Sequence, residues 1–538
     1  MKRIAYRFFL IVLLSVLAVE VFPVSAQEDS WFDEGNYDEE WLDKNFDNDV
    51  MIISTPEEFA AWGAAMNRWS WNYPDKIVRL AADIDMSAHK WITPVNERFG
   101  SYFSGVFDGD GYTISGLTVV PAEEGGGYSD DYKRVAAGLF GEVRRAEIRD
   151  LTLDETCRVE VSGIYYFSFG DLDLEIGAIA AGGAESRFIR CVNRADVVVT
   201  SAIWGSETYE TICSVSGIVA HADDVKLIGC SNEGHMTIDV HSDVVDIRVS
   251  GLVGRCGPVY GNENRIVSCT NRGNIFVSGN TSGSVSVGGI SSNYSFRVDS
   301  CENHSVVKVN AYEGSAYVGG VSSASMGITY SFNRDSVICE SDGFEVQVGG
   351  VCSNNSSQTD SLYTCGNEGE IEVKSNGSML SVGGVMGQNT DCLIVDCWNR
   401  GGLKIESSAP RSSSSWNAIY AGGLVGYCEE PVYNSYNRGN ISLIDAHIDE
   451  EGSSQGSVGG LVGKAYKLLW NSYSTGDVYS NVAGVKVCRL SESNVHFCYY
   501  NSDAVIEGTE VDEQGIAYST AEMQSAGSGF LEALNNNA

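Results

Sequence analysis

Residues 422–441 contain the pattern that decides the fold, GGLVG (422–426) followed by SYNRGNI (435–441). The same pattern occurs once before this stretch and once after it. The earlier copy is GGVMG with CWNRG and the later copy is GGLVG with SYSTGDV (383–387, 397–401, 459–463 and 472–478). A unit that recurs every 30 to 40 residues is typical of repeat architectures, in which each unit is stable only when it is stacked on its neighbours.

The alternation of side chains within the repeat predicts β-strands. Aliphatic residues occupy every second position in segments such as 275–277, 371–373 and 403–405, and the residues between them vary in polarity. This period of two indicates a strand with one buried face. No helical periodicity is sustained between residues 180 and 500, so helices that cross between strands are not expected. The sequence therefore predicts an all-β fold, a parallel β-helix (solenoid) of about ten coils.

One slot of the repeat holds asparagine and is predicted to form a structural ladder. A side-chain amide in this slot can bond to the coils above and below and also hold the adjoining turn. The glycine two residues later is predicted to adopt a positive φ, which a Cβ would penalise. A ligand-binding role on the surface is the alternative for these asparagines. The ladder is assigned to Asn232, Asn271, Asn367, Asn399 and Asn437, and the same slot contains Asn193, Asn303 and Asn333.

Seven of the 15 cysteines occupy a second slot, two residues before the asparagine. Recurrence in one slot predicts a buried, structural role. Stacked strands bring such residues within ~4.8 Å, which is close enough for some disulfides, and the odd total leaves at least one cysteine unpaired. The spacings resemble no zinc site. The seven residues are Cys191, Cys230, Cys269, Cys301, Cys365, Cys397 and Cys498.

The ends of the chain differ from the repeats. Residues 1–26 have basic residues, an apolar run and a small-residue cleavage site in the order of a signal peptide. The protein is therefore expected to be exported to the extracellular space, the cell surface or the periplasm, with no membrane insertion of the mature chain. The other predicted segments are a solvated acidic leader (27–50), an N-terminal cap with the first coils (51–155), the β-helix repeats (156–500) and a C-terminal cap (501–538).

Both ends of a solenoid need a cover, because open sheet edges pair with other chains. Thr55 is predicted to cap a short helix, with Pro56 at its first position and Glu58 completing a capping box. A second capping box is predicted at Ser519. The apolar face of that C-terminal cap consists of Phe530, Leu531 and Leu534.

The composition and motifs exclude several classes of partner and reaction. The chain has 72 acidic and 35 basic residues and a formal net charge of −37, which repels nucleic acid and anionic membranes. No His-Glu-x-x-His motif or phosphate-binding glycine loop is present, so no catalytic metal or cofactor is expected. Asp108 and Asp110 are weak candidates for calcium ligands, because no glutamate follows at the right distance. A turn of the Asp-Gly kind is the favoured interpretation of this segment.

The glycine-rich half of the repeat resembles the GLUG-motif repeat proteins. It reads GLFG at 138–141 and GLVG at 251–254, 423–426 and 460–463, with Asn-x-Gly strands following. GLUG-motif proteins are exported bacterial proteins, common in gut Bacteroidetes, and the repeat also accompanies some bacterial immunoglobulin A peptidases. The resemblance extends to the segments before and after the repeats. It implies a right-handed β-helix and a protein that is secreted or located at the cell surface. It implies no established catalytic residues, so we expect a protein that is not an enzyme.

One outward column suggests a function. If the cysteine and asparagine slots point inward, the residue between them points outward, and in the last coils it is Trp398, Tyr436, Tyr473 and Tyr499. We expect these four rings to form an exposed stripe that binds a glycan or a host or matrix protein. The alternative for the rings is burial under longer turns. The alternatives for the whole protein are a polysaccharide-degrading β-helix enzyme with paired carboxylates in a groove and a passive surface spacer.

Overall fold

The computed structural model describes most of the chain after residue 28. The signal peptide predicted at 1–26 lies outside the described residues. The described ranges are 29–69, 75–94, 102–125, 132–166, 171–204, 211–242, 245–256, 264–355, 361–408, 418–445, 455–508, 510–512 and 514–537.

Long parallel β-sheets dominate the structure. Each turn of the chain contributes strands in order to sheets that we number 1 to 5, and the strand from the next turn pairs beside the previous one. In sheet 1, for example, Arg265–Val267 pairs in parallel with Arg297–Asp299, which pairs with Gly327–Thr329. An antiparallel pair also occurs, between Ala122–Gly125 and Tyr132–Ala137. The fold is all-β, and its topology is consistent with the predicted parallel β-helix or solenoid.

Sheets 1 to 3 form the first part of each turn. Sheet 1 contains Val50–Ile53, Ile77–Leu80, Val106–Asp108, Glu147–Arg149, Arg187–Ile189, Lys226–Ile228, Arg265–Val267, Arg297–Asp299, Gly327–Thr329, Ser361–Tyr363, Leu393–Val395, Val432–Tyr433, Leu469–Trp470 and Val495–His496. Sheet 2 contains Ile84–Asp85, Thr113–Ser115, Thr152–Leu153, Val192–Asn193, Ser231–Asn232, Thr270–Asn271, Glu302–Asn303, Phe332–Asn333, Gly366–Asn367, Trp398–Asn399, Tyr436–Asn437, Tyr473–Ser474, Tyr499–Asn501 and Ile516–Tyr518. Sheet 3 contains Lys90–Ile92, Thr118–Val120, Arg158–Tyr166, Asp196–Trp204, Met236–Ser242, Ile275–Thr281, Val307–Glu313, Val337–Ser341, Ile371–Ser375, Leu403–Ser407, Ile441–Asp445, Val478–Ser480 and Ile506–Glu507.

Sheets 4 and 5 complete each turn. Sheet 4 contains Ala122–Gly125, Tyr132–Ala137, Asp171–Gly177, Thr211–Ser216, Val245–Ser250, Val285–Gly288, Ala316–Gly319, Glu345–Gly349, Met379–Gly383, Ala418–Gly422, Gln455–Gly459, Lys486–Cys488 and Glu510–Asp512. Sheet 5 has two parts, joined through single bridges at Ser291. Its strands are Phe140–Arg144, Ala180–Ala184, Val219–Asp223 and Val253–Arg255, then Ser322–Ala324, Cys352–Asn355, Met386–Asn389, Val425–Cys428 and Val462–Ala465.

The number of coils expected from the sequence, about ten, is not confirmed. Sheets 1 and 2 each contain fourteen strands. The additional strands come from residues 50–120 and 486–518, where the side-chain pattern of the repeat is weak.

The inner face of sheet 1 shows how successive coils share a core. The inward residue of each strand is aliphatic, and each lies beside the equivalent residue of the next coil. A buried side chain of this size contributes roughly 1.5–3 kcal/mol by leaving water. The fully buried column includes Ile266, Val298, Ile328, Leu362, Ile394, Val432 and Leu469.

The asparagines of the repeat form a continuous, fully buried hydrogen-bonded column in sheet 2. Asn367 Nδ2, for example, donates to Asn399 Oδ1 at 2.8 Å and to the Gly369 carbonyl at 2.8 Å. Its Oδ1 accepts from Asn333 Nδ2 at 2.7 Å. The same bond between coils joins Asn193, Asn232, Asn271, Asn303, Asn333, Asn367, Asn399 and Asn437, and Asn437 then donates to Ser474. We call these eight residues the asparagine ladder.

The glycines that follow the ladder asparagines have a different role from the predicted one. None of Gly234, Gly273, Gly369, Gly401 and Gly439 lies in the left-handed region, so the predicted positive φ is wrong. Their missing Cβ matters because the backbone of the neighbouring coil passes very close. A Cβ on Gly401 would collide with the carbonyl oxygen of Gly369, and a Cβ on Gly439 would collide with that of Gly401.

Positive φ values occur instead at the corner between sheets 1 and 2. The corner residue just before the cysteine slot has φ near +50° in coil after coil, as in Asp396 (55°) and Asn434 (50°). This left-handed conformation costs roughly 1–2 kcal/mol in a residue with a Cβ. Gly229, which has no Cβ, occupies the same corner position in its coil. The other corner residues are Asp150, Arg190, Ser268, Ser300, Tyr330, Thr364, Asn471 and Phe497.

The seven cysteines of the second slot are buried, and none of them forms a disulfide in the structure. In six of them the thiol donates to a carbonyl of the previous coil, as Cys365 does to Ile328 at 3.2 Å and Cys397 to Leu362 at 3.5 Å. The other four thiols of this type belong to Cys191, Cys230, Cys301 and Cys498. The thiols therefore act as small apolar groups that also satisfy buried carbonyls.

The N-terminal end is covered by two helices, Glu39–Asn45 and Pro56–Trp69. The predicted capping box is present, with Thr55 Oγ1 accepting from Glu58 N at 3.2 Å. Residues 29–49 are not solvated throughout, because acidic side chains such as Glu34 and Glu39 are exposed while apolar residues between the acidic ones are buried. Trp31 is buried and its Nε1 donates to the Met86 carbonyl at 3.0 Å, because the apolar residues between the acidic ones supply a packing face.

The C-terminal end carries the helices Thr520–Gln524 and Phe530–Asn537. Ser519 forms the predicted capping box with Glu522. Phe530 is buried, whereas Leu531 is 48% exposed and does not belong to the packed face. Across the described ranges no helix has both the length and the apolar character needed to cross a membrane.

The close approach of coils at the glycine slot leads to a direct test. Gly401→Ala places a Cβ against the Gly369 carbonyl, and we expect it to lower the free energy of unfolding by about 1–3 kcal/mol, as overpacking does. The adjacent Gly402→Ala is the matched control, because its Cβ would meet no atom closer than 3.7 Å. Thermal unfolding followed by circular dichroism compares the two variants. Equal midpoints for both would contradict the role assigned to Gly401.

Candidate functional site

The outward side of sheet 2 carries a column of aromatic residues. Trp398, Tyr436 and Tyr473 occupy paired positions on successive strands, and all three are half-buried. Phe332 belongs to the same column and is separated from Trp398 by Gly366. We call Phe332, Trp398, Tyr436 and Tyr473 the aromatic stripe.

The rings of the aromatic stripe are nearly parallel to one another. Tyr436 and Tyr473 have centroids 5.1 Å apart and ring planes 7° apart, which is offset stacking. Trp398 lies 6.3 Å from Tyr436, with planes 13° apart, and 5.9 Å from Phe332, with planes 25° apart. The contact with Phe332 bridges one coil because Gly366 has no side chain, and a Cβ there would collide with the Trp398 indole.

Three of the four rings each have an arginine packed against them. Each of these arginines directly follows a ladder asparagine and lies two residues after its ring. Arg400 Nη2 donates to the Tyr436 hydroxyl at 3.1 Å, and Arg438 Nη2 donates to the Tyr473 hydroxyl at 3.2 Å. The guanidinium-to-centroid distances are 4.7 Å for Arg334 and Phe332, 4.5 Å for Arg400 and Trp398, and 5.1 Å for Arg438 and Tyr436. Sequence reasoning missed this set, although its fixed spacing from the rings is visible in the repeat.

Toward the C-terminal coils, these arginines have fewer and longer contacts with carboxylates. Arg334 contacts Glu302 at 2.8 Å and Glu368 at 3.0 Å, and the first contact lowers the pKa of Glu302. Arg400 reaches Glu368 only at 3.4 Å. Arg438 is exposed and has no carboxylate partner among the described residues. Its hydrogen bond to Tyr473 raises its pKa, so the charge at this end of the stripe is permanent.

The prediction of four outward rings needs a correction at Tyr499. Tyr499 follows Tyr473 in the register of sheet 2, but it is 1% exposed. The reason is the C-terminal helix, whose Phe530 packs edge-on against both Tyr473 and Tyr499 at 5.6 Å. Tyr499 therefore belongs to the packing of the cap, and the outward column ends at Tyr473.

The arrangement limits which chemistry the aromatic stripe can offer. Ring faces are turned toward neighbouring rings or guanidinium groups, and few remain open to a ligand. Arg438 is exposed, and it keeps guanidinium N–H donors that the Tyr473 hydroxyl does not use. Stacked rings that hold planar cations are suited to flat, polar surfaces carrying carboxylates.

Asp108 and Asp110 occupy the Asp-Gly turn between sheets 1 and 2. The Asp108 carboxylate contacts Arg149 at 2.8 Å and Arg79 at 3.3 Å, and it also accepts from the Asp110 backbone. Burial alone would raise the pKa of Asp108, but these donors outweigh burial and lower it. Two arginines occupy the position where a cation would need the carboxylate. Within the ranges that the structure describes, no three His, Cys, Asp or Glu side chains form a metal-binding group.

A buried ion cluster between sheets 4 and 5 was not predicted. Arg134 donates to Glu175 at 2.6 Å and to Glu142 at 3.1 Å, and Arg255 donates to Glu175 at 2.9 Å. His221 Nδ1 lies 2.7 Å from Glu175. The Glu175 side chain is 2% exposed. Arginines pair with the Glu142 and Glu175 carboxylates in the interior. These two carboxylates therefore do not flank an open groove, as the glycoside-cleaving alternative requires.

The ionisation of the cluster follows from burial and charge together. Burial raises the pKa of Glu175, but Arg134, His221 and Arg255 outweigh it and hold that pKa well below its usual range. Burial raises the pKa of Glu142. Burial lowers the pKa of His221, but its attraction to Glu175 prevails and raises it. The cluster therefore favours a charged imidazole in the folded state.

Comparison with known proteins does not place the chain in a family. No family model matches it, and no curated protein matches it. A solved structure from Bacteroides ovatus, described as a "putative immunoglobulin A1 protease", has a TM-score of 0.31 and 14% sequence identity over 71% of this chain and 84% of that chain. The resemblance to GLUG-motif repeat proteins therefore depends on the sequence motifs.

The raised pKa of His221 predicts a pH dependence of stability. Below the unfolded pKa of about 6.5 the contact with Glu175 contributes fully, and this contribution is lost as pH rises through the folded pKa. We therefore expect the wild type to lose more stability than His221→Gln between about pH 6 and pH 9. Thermal midpoints of both proteins at the two pH values give the comparison.

The control for this measurement is His241→Gln, because His241 is exposed and its Nε2 lies 3.3 Å from the carboxylate of Asp239. Its pH profile should follow that of the wild type. A His221→Gln profile parallel to the wild type would show that the His221–Glu175 contact does not couple protonation to folding.

Proposed function

We propose that the protein is an exported, adhesin-like binding protein that recognises an extracellular protein through the aromatic stripe and its arginines, without catalysis. In this proposal the chain is a right-handed β-helix with helices at both ends, displayed at the cell surface or secreted. The observation that carries the proposal is the continuous outward column of stacked rings with guanidinium groups held against them.

The composition of the column favours a protein partner over a neutral sugar. A sugar ring that stacks on an aromatic residue needs an open ring face, and these faces are largely occupied. Protein interfaces are instead enriched in Trp, Tyr and Arg, which dominate binding energy when they lie at the centre of the contact. The aromatic stripe and its arginines present these three residue types on adjacent coils.

The charge of the column favours an acidic patch on that partner. Arg400 and Arg438 are exposed, and Arg438 is left without a carboxylate by the described residues. Both guanidinium groups are oriented by tyrosine hydroxyls, so little side-chain freedom is lost when a carboxylate binds. The rings are also held on rigid strands, so they lose little conformational entropy when a partner binds.

A binding screen tests the proposal. The mature chain is measured against immobilised fibronectin, fibrinogen, laminin and collagen and on a glycan array, with and without EDTA. We expect binding to at least one of the proteins, and a loss of about tenfold or more in affinity for Trp398→Ala and Arg438→Ala, as for central interface residues. EDTA should have no effect, because arginines hold the Asp108 carboxylate.

The control variant is Tyr479→Ala, an exposed tyrosine on sheet 3. It should keep wild-type affinity. Equal affinities for all three variants would remove the aromatic stripe from the interaction. Binding to glycans alone would contradict a protein partner, and no binding partner in any assay would favour the passive spacer.

A further inference from the structure

The outward faces of sheets 4 and 5 are turned toward each other and form a groove along the coils. Gln347 on sheet 4 lies between two buried, inward valines and therefore points away from the aliphatic core, yet it is only 4% exposed. A side chain of sheet 5 reaches it, because Gln347 Nε2 donates to Gln388 Oε1 at 2.7 Å. In a later coil, Tyr420 on sheet 4 meets Tyr427 on sheet 5 with ring centroids 5.3 Å apart.

In the N-terminal coils the groove is filled by the ion cluster described above. Arg134 and Glu175 come from sheet 4, whereas Glu142, His221 and Arg255 come from sheet 5. These charges pair with one another across the groove, and the Glu175 side chain is 2% exposed. This part of the groove is therefore closed.

Tyrosines and glutamines replace the ions in the later coils. Sheet 4 has Tyr317, Gln347, Ser381 and Tyr420 at paired positions of four consecutive strands. Three coil steps separate the two tyrosines, which is ~14 Å at the spacing between strands. The sheet 5 side contributes Gln388, Tyr427 and Tyr466, the last directly after the strand Val462–Ala465. We call this set of seven residues the tyrosine groove.

The rings of the tyrosine groove are tilted against one another. The planes of Tyr420 and Tyr427 are inclined by 49°, and those of Tyr427 and Tyr466 by 58° at a centroid distance of 5.5 Å. Tyr466 is 54% exposed. In the aromatic stripe, by contrast, neighbouring rings lie within 25° of parallel and cover one another. Tilted rings leave part of each face uncovered, and the C–H face of a sugar ring can pack on such a surface.

The polar groups of the tyrosine groove are oriented by hydrogen bonds. The Tyr317 hydroxyl donates to Glu345 Oε2 at 2.9 Å, and Gln347 Nε2 donates to Glu345 Oε1 at 2.7 Å. The Tyr427 hydroxyl donates to Glu429 Oε1 at 2.6 Å. Amides, hydroxyls and carboxylates held in this way offer both donors and acceptors. Sugar hydroxyl groups need both.

The Gln347 side chain has one acceptor that the protein does not use. Its Nε2 donates to both Glu345 and Gln388, which fixes the orientation of the amide. Its Oε1 is buried and finds no hydrogen-bond partner in the described part of the chain. An unpaired buried carbonyl is unfavourable, and a ligand hydroxyl that enters the groove would pair with it.

The charge of the groove favours a neutral ligand. Glu345 and Glu429 are bonded to its tyrosines, and the whole chain has a net charge of −37, which repels polyanions. Lys464 lies 5.7 Å from the centre of the Tyr466 ring, but its Nζ is paired with Glu492 at 2.5 Å. An acidic sugar chain would therefore meet carboxylates without an unpaired lysine to offset them.

We propose that the tyrosine groove binds a linear neutral glycan that lies along the coils. Its sugar rings pack on Tyr317 at one end and on Tyr420 and Tyr466 at the other. Its hydroxyl groups bond to Gln347 and Gln388 between these ends. The distance of three coil steps suits an oligosaccharide better than a single sugar.

This site does not depend on the function proposed for the aromatic stripe. The stripe lies on sheet 2, whereas the tyrosine groove lies between sheets 4 and 5. Variants of one surface leave the residues of the other unchanged, so the two proposals can fail independently.

The test measures binding of defined oligosaccharides to the mature chain by isothermal titration calorimetry. The neutral probes are cellohexaose, xylohexaose, mannohexaose and maltohexaose, and the acidic probe is a hexamer of galacturonic acid. We expect at least one neutral probe to bind and the acidic probe not to bind. Raising the salt from about 0.1 M to about 1 M shortens the Debye length from ~10 to ~3 Å. It should change the affinity for the neutral probe less than about twofold, because no charge is paired.

Variants locate the site. Tyr420→Ala with Tyr466→Ala should lower the affinity at least about tenfold, because two ring contacts are lost together. Gln388→Ala should also weaken binding. Tyr466→Phe keeps the ring and should stay within about twofold of the wild type. The matched control is Tyr312→Ala with Tyr479→Ala, which removes two exposed tyrosines of sheet 3 and should bind as the wild type does.

Several outcomes would overturn the proposal. Absence of binding by all four neutral probes, or tighter binding of the acidic probe, would exclude a neutral glycan. Equal weakening by the groove and sheet 3 double variants would show that the tyrosine groove is not the site. Loss of binding in Trp398→Ala but not in the groove variants would place the sugar on the aromatic stripe. A groove double variant that loses affinity for a matrix protein and for no glycan would show a protein interface. Circular dichroism of each variant confirms that the fold is retained.

Discussion

The vertical spacing between coils is the constraint on which the structure depends. Strands stacked at ~4.8 Å bring the backbone of one coil against the next, and only glycine fits at positions such as Gly401 and Gly439. The asparagine ladder uses the same spacing, because each amide spans one coil and also holds its own turn. A buried amide without these partners would cost about 1–3 kcal/mol. Register between coils is therefore specified by polar groups as well as by the aliphatic core.

The same spacing places equivalent residues directly above one another on the outside. A side chain that is unremarkable in one coil becomes a column when the repeat keeps its type, as in the aromatic stripe. Rings gain from this arrangement by stacking. The column is thus compatible with both packing and recognition.

Much of this architecture could be predicted from the sequence, because the periods of two residues and of one coil are both visible in it. The inward asparagine and cysteine slots and the outward position of Trp398, Tyr436 and Tyr473 follow from that pattern. Tyr499 could not be placed correctly, because its burial depends on a helix distant in the chain. The left-handed corner residues were missed because they vary in type, from Asp396 to Phe497. The arginines of the aromatic stripe could have been found from their fixed spacing after the rings, whereas the ion cluster around Glu175 needs side-chain geometry that no spacing reveals.

Removal of one whole coil tests the central claim most directly. Deletion of residues 303–332 joins Glu302 to Asn333, so Asn271 would stack on Asn333 and every column would keep its register. The account predicts that this shortened chain folds, with an unchanged β-sheet circular dichroism signal per residue and cooperative thermal unfolding. Deletion of residues 303–317 removes half a coil and should abolish the fold. Loss of structure in the first variant, or retention of structure in both, would contradict the account.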